Sequence, residues 1–248
     1  MNRRDFLKII SVGVAALLLP WSKQKKGKKM IRHAVSSDSG YQASLSTYSW
    51  SHTAADVNDP KQLYGLVVSL AIFSSSVTGI SVTATTGGVT RNLTFAHGIT
   101  KNNIRAEVWH IPDLSPSAYT IEVTLSGVTN SSAGASTYGR LGSIGATNSF
   151  SGTGTGGSIG LPLLLEHSII YVTFISAALS GIIDTGIAQN RRVTVESASG
   201  SHVVSDIGPV SPLPEEAEIS FDGGAVSDDF AIISIELLNN NVQAPPIG

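Results

Sequence analysis

The sequence predicts an all-β fold, a β-sandwich or jelly-roll-like domain of about ten strands. From residue 41 onward, short stretches rich in Val, Ile and Thr are separated by Gly, Asn, Ser and Pro, as strands are separated by turns. Residues 63–73 form a longer, continuous apolar run, which is typical of a central strand buried on both faces. Behind the N-terminal region no stretch shows a sustained helical period, which disfavours helical and α/β folds.

The composition changes along the 248 residues and divides the chain into four regions. Residues 1–30 are interpreted as a signal or N-terminal anchor helix with a basic linker, and residues 31–43 as a flexible segment. Residues 44–240 are the predicted β-sandwich domain, because about 200 residues is an ordinary length for one all-β domain. Residues 241–248 are interpreted as a tail.

Alternation and turn residues locate the strands in the first half of the domain. Gly87 and Gly88 supply the positive φ angles that a tight hairpin requires, and Pro112 ends a strand. Residues 119–125 alternate apolar and polar side chains, which indicates one buried and one solvated face. The predicted strands are 44–51, 63–73, 79–84, 91–96, 104–111 and 119–125.

The second half begins with residues 131–160, which are rich in Gly, Ser and Thr. They are either a flexible loop or a glycine-tolerant strand followed by a loop. The last predicted strand has one charge, Glu236, so we expect it to pair centrally or to engage a neighbouring molecule. The predicted strands of this half are 167–178, 191–196, 202–207, 216–221 and 230–238.

The N-terminus has the organisation of an export signal. A basic start is followed by an apolar run over residues 9–19, which is shorter than the ~20 residues that span a bilayer. The first residues resemble the twin-arginine signal, and the matching positions are Arg3, Arg4, Phe6, Leu7 and Lys8. The resemblance implies passage through the twin-arginine translocase and an extracytoplasmic, secreted or cell-surface location.

Processing of this segment has two open outcomes. Small residues at Ala34-Val35-Ser36 have the spacing of a cleavage site but lie far from the apolar run. Removal near residues 22–36 is favoured over retention as an anchor. The segment is the part of the chain through which we expect membrane contact, if it is retained.

Charge and cysteine content exclude several classes of function. Residues 1–32 hold nine of the 16 basic residues and one of the 18 acidic ones, so the rest of the chain is strongly acidic. An acidic domain repels phosphate backbones, which disfavours nucleic-acid binding. The absence of cysteine excludes disulfides, thiolate metal sites and a cysteine nucleophile.

Several segments, in order, resemble a domain that recurs in secreted and cell-surface proteins of prokaryotes, often beside adhesion-type modules. The resemblance implies an extracellular β-sandwich with a binding or structural role, and it supplies no catalytic residues. Residues 87–90 depart from the pattern, because a fuller hairpin with an aromatic residue is expected there. The matching segments are YSWSHT at 48–53, LVVSL at 66–70, VTGISV at 77–82, RAEVW at 105–109, PSAYTIEVTLSG at 116–127, and residues 221–237.

Catalytic patterns are missing from the sequence. The six histidines form no H-x-H or H-E-x-x-H spacing, and no G-x-S-x-G elbow is present. Glu107 and Glu122 lie on alternating strands and are expected to point outward, which disfavours a glycosidase pair. His52, next to Trp50, is the histidine expected to be packed.

Ion and glycan sites remain as hypotheses. No cofactor motif is present, but calcium binds oxygen-rich loops, and two acidic clusters offer such ligands. Asn92 and Asn130 begin glycosylation sequons. The calcium candidates are Asp56, Asn58 and Asp59 in one cluster and Asp222, Asp228 and Asp229 in the other.

The function expected from these features is that of an exported, non-catalytic structural or adhesive subunit. Self-assembly through strand exchange is expected, because the segment before Ser44 could add a strand to another copy or to another surface protein. The alternative is a carbohydrate-binding module that uses an aromatic platform for glycans, and a secreted hydrolase is disfavoured. The candidate platform residues are Trp50, Trp109, Tyr138 and Tyr171.

Overall fold

The computed structural model describes an all-β protein. The described residues form no helix, and a search of these residues finds no membrane-spanning helix. The predicted N-terminal helix, the export residues and the tail lie outside them. The structure describes residues 34–55, 62–162, 167–177, 184–185, 189–197, 199–209, 216–222 and 227–239.

Among the described residues, fifteen strands form three antiparallel sheets, which confirms the all-β class and exceeds the predicted strand number. The strands are β1 (Ala34–Ala54), β2 (Tyr64–Ile72), β3 (Ile80–Thr86), β4 (Val89–Asn92), β5 (Thr94–Lys101), β6 (Ile104–Leu114), β7 (Ser117–Gly139), β8 (Leu141–Gly154), β9 (Gly156–Pro162), β10 (Ile169–Ser176), β11 (Asp184–Thr185), β12 (Asn190–Ser197), β13 (Gly200–Ile207), β14 (Glu216–Asp222) and β15 (Asp228–Asn239).

The first sheet has the order β4-β3-β7-β2-β6-β5, and it folds back on itself at β7. The beginning of β7 pairs with β3 and its end pairs with β2, while β1 pairs with β7 over nearly its full length. Ile121 from the beginning of β7 and Leu66 from β2 belong to one hydrophobic core. The two halves of this sheet therefore face each other as two layers.

Two further cores stack the other sheets onto this pair. Val67 of β2 packs with Ile233 of β15, in the second sheet of order β12-β13-β10-β15-β8. On the far side of that sheet, Phe174 packs with Ile219 of the third sheet, whose order is β11-β14-β9. The strands thus lie in four layers separated by three apolar cores.

This stacking explains the continuous apolar strands. Every residue of β2 and β10 is buried, because each strand has a core on both faces. The predicted central strand is confirmed. The last strand, β15, pairs with β10 and β8, so central pairing is the one of its two expected alternatives that is observed.

The structure overturns one prediction about a flexible segment and decides between the two alternatives for residues 131–160. From Ala34 onward the predicted flexible segment 31–43 is strand, because its backbone pairs with residues 131–138 of β7. The glycine-rich stretch 131–160 is strand as well, apart from short turns. Its glycines make room for Phe230, since a Cβ at Gly152 or Gly157 would lie 2.8 or 2.6 Å from that ring.

Candidate functional site

The first strand is the longest edge of the described structure. β1 has 21 residues, and among the described residues no strand pairs with the edge opposite β7. It contains no lysine or proline and one carboxylate, Asp38. Soluble proteins usually protect such an edge with lysine, proline or short length, so β1 is available for pairing with another chain.

The strand consists of two halves joined by an irregular segment. Residues 34–42, called the arm from here on, pair with residues 131–138 of β7, and residues 47–54 pair with 117–124. Between them the register shifts twice, and Ser44 has a φ angle of 59°. The amide of Ser44 donates to Asn130 Oδ1 at 3.0 Å. Residues 43–46 therefore form a bend where the chain passes from one layer to the other.

Side chains tie the arm to the second half of the strand, and we call this group the latch: Asp38, Trp50, His52 and Thr137. Trp50 Nε1 donates to Asp38 Oδ1 at 2.7 Å, and His52 Nδ1 lies 2.6 Å from Asp38 Oδ2. His52 Nε2 lies 2.6 Å from Thr137 Oγ1. One carboxylate on the arm thus holds two donors of the facing layer.

Packing adds a steric contact to the latch. A Cβ at Gly40 would lie 2.9 Å from Trp50 Cε3, so the indole ring sits directly on the arm backbone. Trp50 also stacks with Tyr48, at a centroid separation of 6.1 Å. Burial raises the pKa of Tyr48 to about 12. The arm is therefore held by side-chain packing against Trp50 as well as by strand pairing with β7.

The latch has the order carboxylate, imidazole, hydroxyl that activates nucleophiles in enzymes. Here His52 is 1% exposed and Thr137 is fully buried. We therefore interpret the group as packing that holds β1, in agreement with the expectation that His52 is packed. The sequence analysis missed Asp38 and Thr137; the available signal was the single acid in a long uncharged strand.

The four predicted platform aromatics do not form a row. Tyr138 and Tyr171 are fully buried and meet edge to face at 6.2 Å, so the interpretation of these two as an exposed platform was wrong. Both rings belong to the apolar core between the first and second sheets, and this position buries them. Trp50 and Trp109 are half-buried and belong to different strands, β1 and β6.

A buried charge cluster joins the first and second sheets behind the arm. Asp206 is fully buried and accepts from Arg192 Nε at 2.7 Å and from Tyr138 Oη at 2.9 Å. Burial, and then the charge of Asp206, raise the pKa of Tyr138 well above its ordinary value. The cluster holds the end of β7 against β13, so it fixes the strand on which the arm lies.

A second buried polar group joins the same layers. His202 Nε2 lies 3.0 Å from Ser69 Oγ and 3.0 Å from Thr173 Oγ1, and Nδ1 lies 3.0 Å from Ser132 Oγ. Burial lowers the pKa of His202 to about 3. The imidazole is therefore neutral near pH 7 and serves as a hydrogen-bond hub between sheets.

The carboxylates are arranged differently from the prediction. Glu107 is buried, not displayed outward, because β6 carries it toward the first core; it pairs with Arg105 and accepts from Trp109 Nε1 at 2.8 Å. Burial raises the pKa of Glu107 above its ordinary value. Glu122 is exposed, as expected.

Among the described residues, which include Asp222, Asp228 and Asp229, no group of three His, Asp or Glu side chains has metal-binding geometry. Asp228 and Asp229 begin β15, and Asp222 ends β14. The other cluster, Asp56, Asn58 and Asp59, lies outside the described residues.

The two sequons differ in accessibility. Asn92 is exposed at the end of β4. Asn130 is half-buried, and its side-chain amide donates to Ser199 Oγ. Since glycosylation requires a free side-chain amide, Asn92 is the better acceptor of the two.

Comparison with known proteins gives no match: no family model, curated protein or solved structure is significantly similar to this chain. The case for its function therefore depends on the geometry of its own residues.

Proposed function

We propose that this chain is an exported, non-catalytic subunit of β-sandwich type, with a structural or adhesive role outside the cytoplasm, that assembles by exchanging its arm with another copy. The observation that carries the proposal is the arm itself: an in-register edge segment, joined by an irregular bend to the rest of β1. The N-terminal resemblance to a twin-arginine signal supports the location.

Exchange conserves the contacts of the arm. Every copy presents the same β7 edge and the same Trp50 and His52, so Asp38 from a neighbour would find identical partners. The bend at residues 43–46 then needs to open from a turn into a connection between copies. Because exchange breaks and re-forms the same hydrogen bonds, the equilibrium between monomer and assembly depends on the free energy of opening the bend and on the protein concentration.

A disulfide lock tests this proposal, and the cysteine-free chain makes the test clean. Ser37 Oγ and Ser136 Oγ are 3.1 Å apart on paired positions of β1 and β7, so Ser37→Cys with Ser136→Cys should form a disulfide. We expect the oxidised variant to stay monomeric in light scattering, and the reduced variant to assemble.

The matched control is Ser51→Cys with Thr120→Cys, which links paired residues in the half of β1 that does not exchange. This variant should assemble whether oxidised or reduced. Assembly of the oxidised Ser37→Cys/Ser136→Cys variant to the wild-type extent would sink the exchange proposal. A protein that is monomeric in all forms would favour the carbohydrate-binding alternative, for which the exposed Phe95 against Trp109 offers the best aromatic pair.

A further inference from the structure

The edge of the first sheet opposite the arm carries an exposed aromatic residue. In the layer that contains β2, the arm lies beyond β7 at one edge, and β6 followed by β5 forms the other. Phe95 of β5 is 48% exposed, and it is paired with Trp109 of β6. The two rings meet edge to face at 5.4 Å. This edge therefore offers an aromatic surface that arm exchange does not use.

The Phe95 ring is held in a fixed position on the strand. A Cβ at Gly98 would lie 3.0 Å from Phe95 Cζ, so the tip of the ring lies directly over the Gly98 backbone. The register shifts between Phe95 and His97, and with this irregularity Phe95 and Gly98 share one face of β5. Because Trp109 and Gly98 support the ring, nearly half of its surface stays open in a defined orientation.

Three side chains of β6 share this face, because they occupy alternate positions of the strand: Arg105, Glu107 and Trp109. Glu107 is buried and fixes the other two. Its Oε2 accepts from Trp109 Nε1 at 2.8 Å, and its Oε1 accepts from Arg105 Nη2. Since both carboxylate oxygens are engaged, Glu107 positions its neighbours and is not itself a contact for a ligand.

Arg105 has more hydrogen-bond donors than the fold uses. Its side chain is 28% exposed, and a guanidinium has five N–H donors. Among the described residues it donates from Nη1 to the Val77 carbonyl at 3.1 Å and from Nη2 to Glu107. Thr100, which is exposed, lies opposite Arg105 in the register of β5 and β6. A polar region therefore adjoins the aromatic one on this face.

We call Phe95, Gly98, Thr100 and Arg105 the edge strip. Arg105 and Trp109 are four residues apart on β6, which corresponds to roughly 13 Å along an extended strand. Phe95 lies opposite Trp109, and its ring extends over Gly98 toward Arg105, so the aromatic and polar ends are closer than this. A ligand that contacts both ends is therefore extended and about as long as a short oligosaccharide.

Charge favours an uncharged ligand. The Arg105 guanidinium is paired with the Glu107 carboxylate, so the edge strip has little net charge to attract an anion. The remaining N–H groups suit neutral oxygen acceptors, and sugars supply these as hydroxyl and ring oxygens. Small-molecule sites combine apolar contact area with a few placed polar groups, and the edge strip has this composition.

A peptide strand is disfavoured as the occupant. Addition of a further strand requires a regular edge, and β5 is interrupted by the irregularity between Phe95 and His97. Lys101 also lies in β5, and lysine on an edge opposes strand addition. The edge strip therefore suits a ligand that is recognised by side chains and not by backbone pairing.

We propose that the edge strip binds uncharged saccharides. Phe95 packs against the C–H face of a sugar ring, and Arg105 and Thr100 hydrogen-bond to hydroxyl groups of the neighbouring sugar units. The inference rests on the adhesive role proposed above and names a ligand class for it, but it does not require arm exchange. In an assembly each copy would add one edge strip, so multivalency would strengthen attachment to a polysaccharide.

Isothermal titration calorimetry of the full chain tests the site. The probes are oligomers of glucan, chitin, mannan and xylan that are too short to bridge two copies, with oligogalacturonate as the anionic probe. Phe95→Ala should weaken binding more than about tenfold, because the sugar loses most of its apolar contact. Arg105→Lys keeps a charge beside Glu107 but loses the planar donors, and it should weaken binding about three- to tenfold.

The matched control is Phe150→Ala. Phe150 is 46% exposed, but it lies on β8 of the second sheet, where its ring contacts Phe230. Its loss should leave the affinity within about twofold of wild type. Circular dichroism and thermal unfolding check that each variant folds.

Any of three results would overturn the proposal: no neutral oligomer binds at millimolar concentration, Phe95→Ala binds as wild type does, or oligogalacturonate binds more tightly than every neutral oligomer. The oxidised Ser37→Cys/Ser136→Cys variant should bind like wild type, since the lock lies at the opposite edge. Absent saccharide binding with normal assembly would count against the edge strip alone. Intact binding without assembly would count against arm exchange alone.

Discussion

Replacing Asp206 with alanine is expected to destabilise the folded protein by about 3–5 kcal/mol. Asp206 is fully buried and is the acceptor for both the Arg192 guanidinium and the Tyr138 hydroxyl. Its removal would leave a half-buried cation and a buried hydroxyl without this partner. Urea unfolding at neutral pH, followed by tryptophan fluorescence, measures the change in the free energy of unfolding.

Glu196→Ala is the control for this prediction. Glu196 is an exposed carboxylate on β12, in the same hairpin, and its loss should change stability by no more than about 0.5 kcal/mol. If Asp206→Ala were as mild as Glu196→Ala, the cluster would not hold β7 against β13. The Asp206 cluster would then not fix the position of β7, the strand on which the arm lies.

Asp38→Ala is expected to weaken the arm by about 2–3 kcal/mol. The carboxylate accepts from Trp50 and His52, and hydrogen bonds to a charged group are worth about 1.5–3 kcal/mol each. The gain from two such bonds is reduced because Asp38 is partly open to water. Amide hydrogen exchange of residues 34–42, measured by mass spectrometry, should accelerate by roughly 30-fold or more.

The control for Asp38 is Glu122→Ala. Glu122 is an exposed carboxylate on β7, opposite Ser49 of β1, and no part of the latch. Its loss should leave the exchange rate of the arm within about threefold of wild type. Equal acceleration in both variants would show that general charge loss, and not the latch, controls the arm.

The sequence predicted the parts of the fold that local pattern determines. Residues 63–73 predict a strand that is buried on both faces, because a continuous apolar run is typical of strands with a core on each side. The hairpin at Gly87-Gly88 was also predicted from local sequence, because a tight turn requires positive φ angles and glycine adopts them readily. Both glycines have such angles, 55° and 79°.

Features that depend on contacts between distant strands were missed. Alternation places Glu107 opposite apolar neighbours, but it does not reveal that a second layer covers that face as well. For the same reason the latch was not predicted. Asp38 and Thr137 are 99 residues apart in the chain, and His52 bridges them only because β1 and β7 pair. Residues 34–43 lack apolar alternation, so their strand is set by the edge they occupy and not by their composition.

The central claim, arm exchange between copies, is tested most directly by mixing two single-cysteine variants, Ser37→Cys and Ser136→Cys. If the arm of one copy lies on β7 of another, oxidation of the assembled mixture should link the two different chains, and a covalent dimer should appear on a non-reducing gel. Each variant oxidised alone, and the Ser51→Cys plus Thr120→Cys mixture, should give no such product. An assembled mixture in which Ser37→Cys and Ser136→Cys remain uncrosslinked would contradict the account.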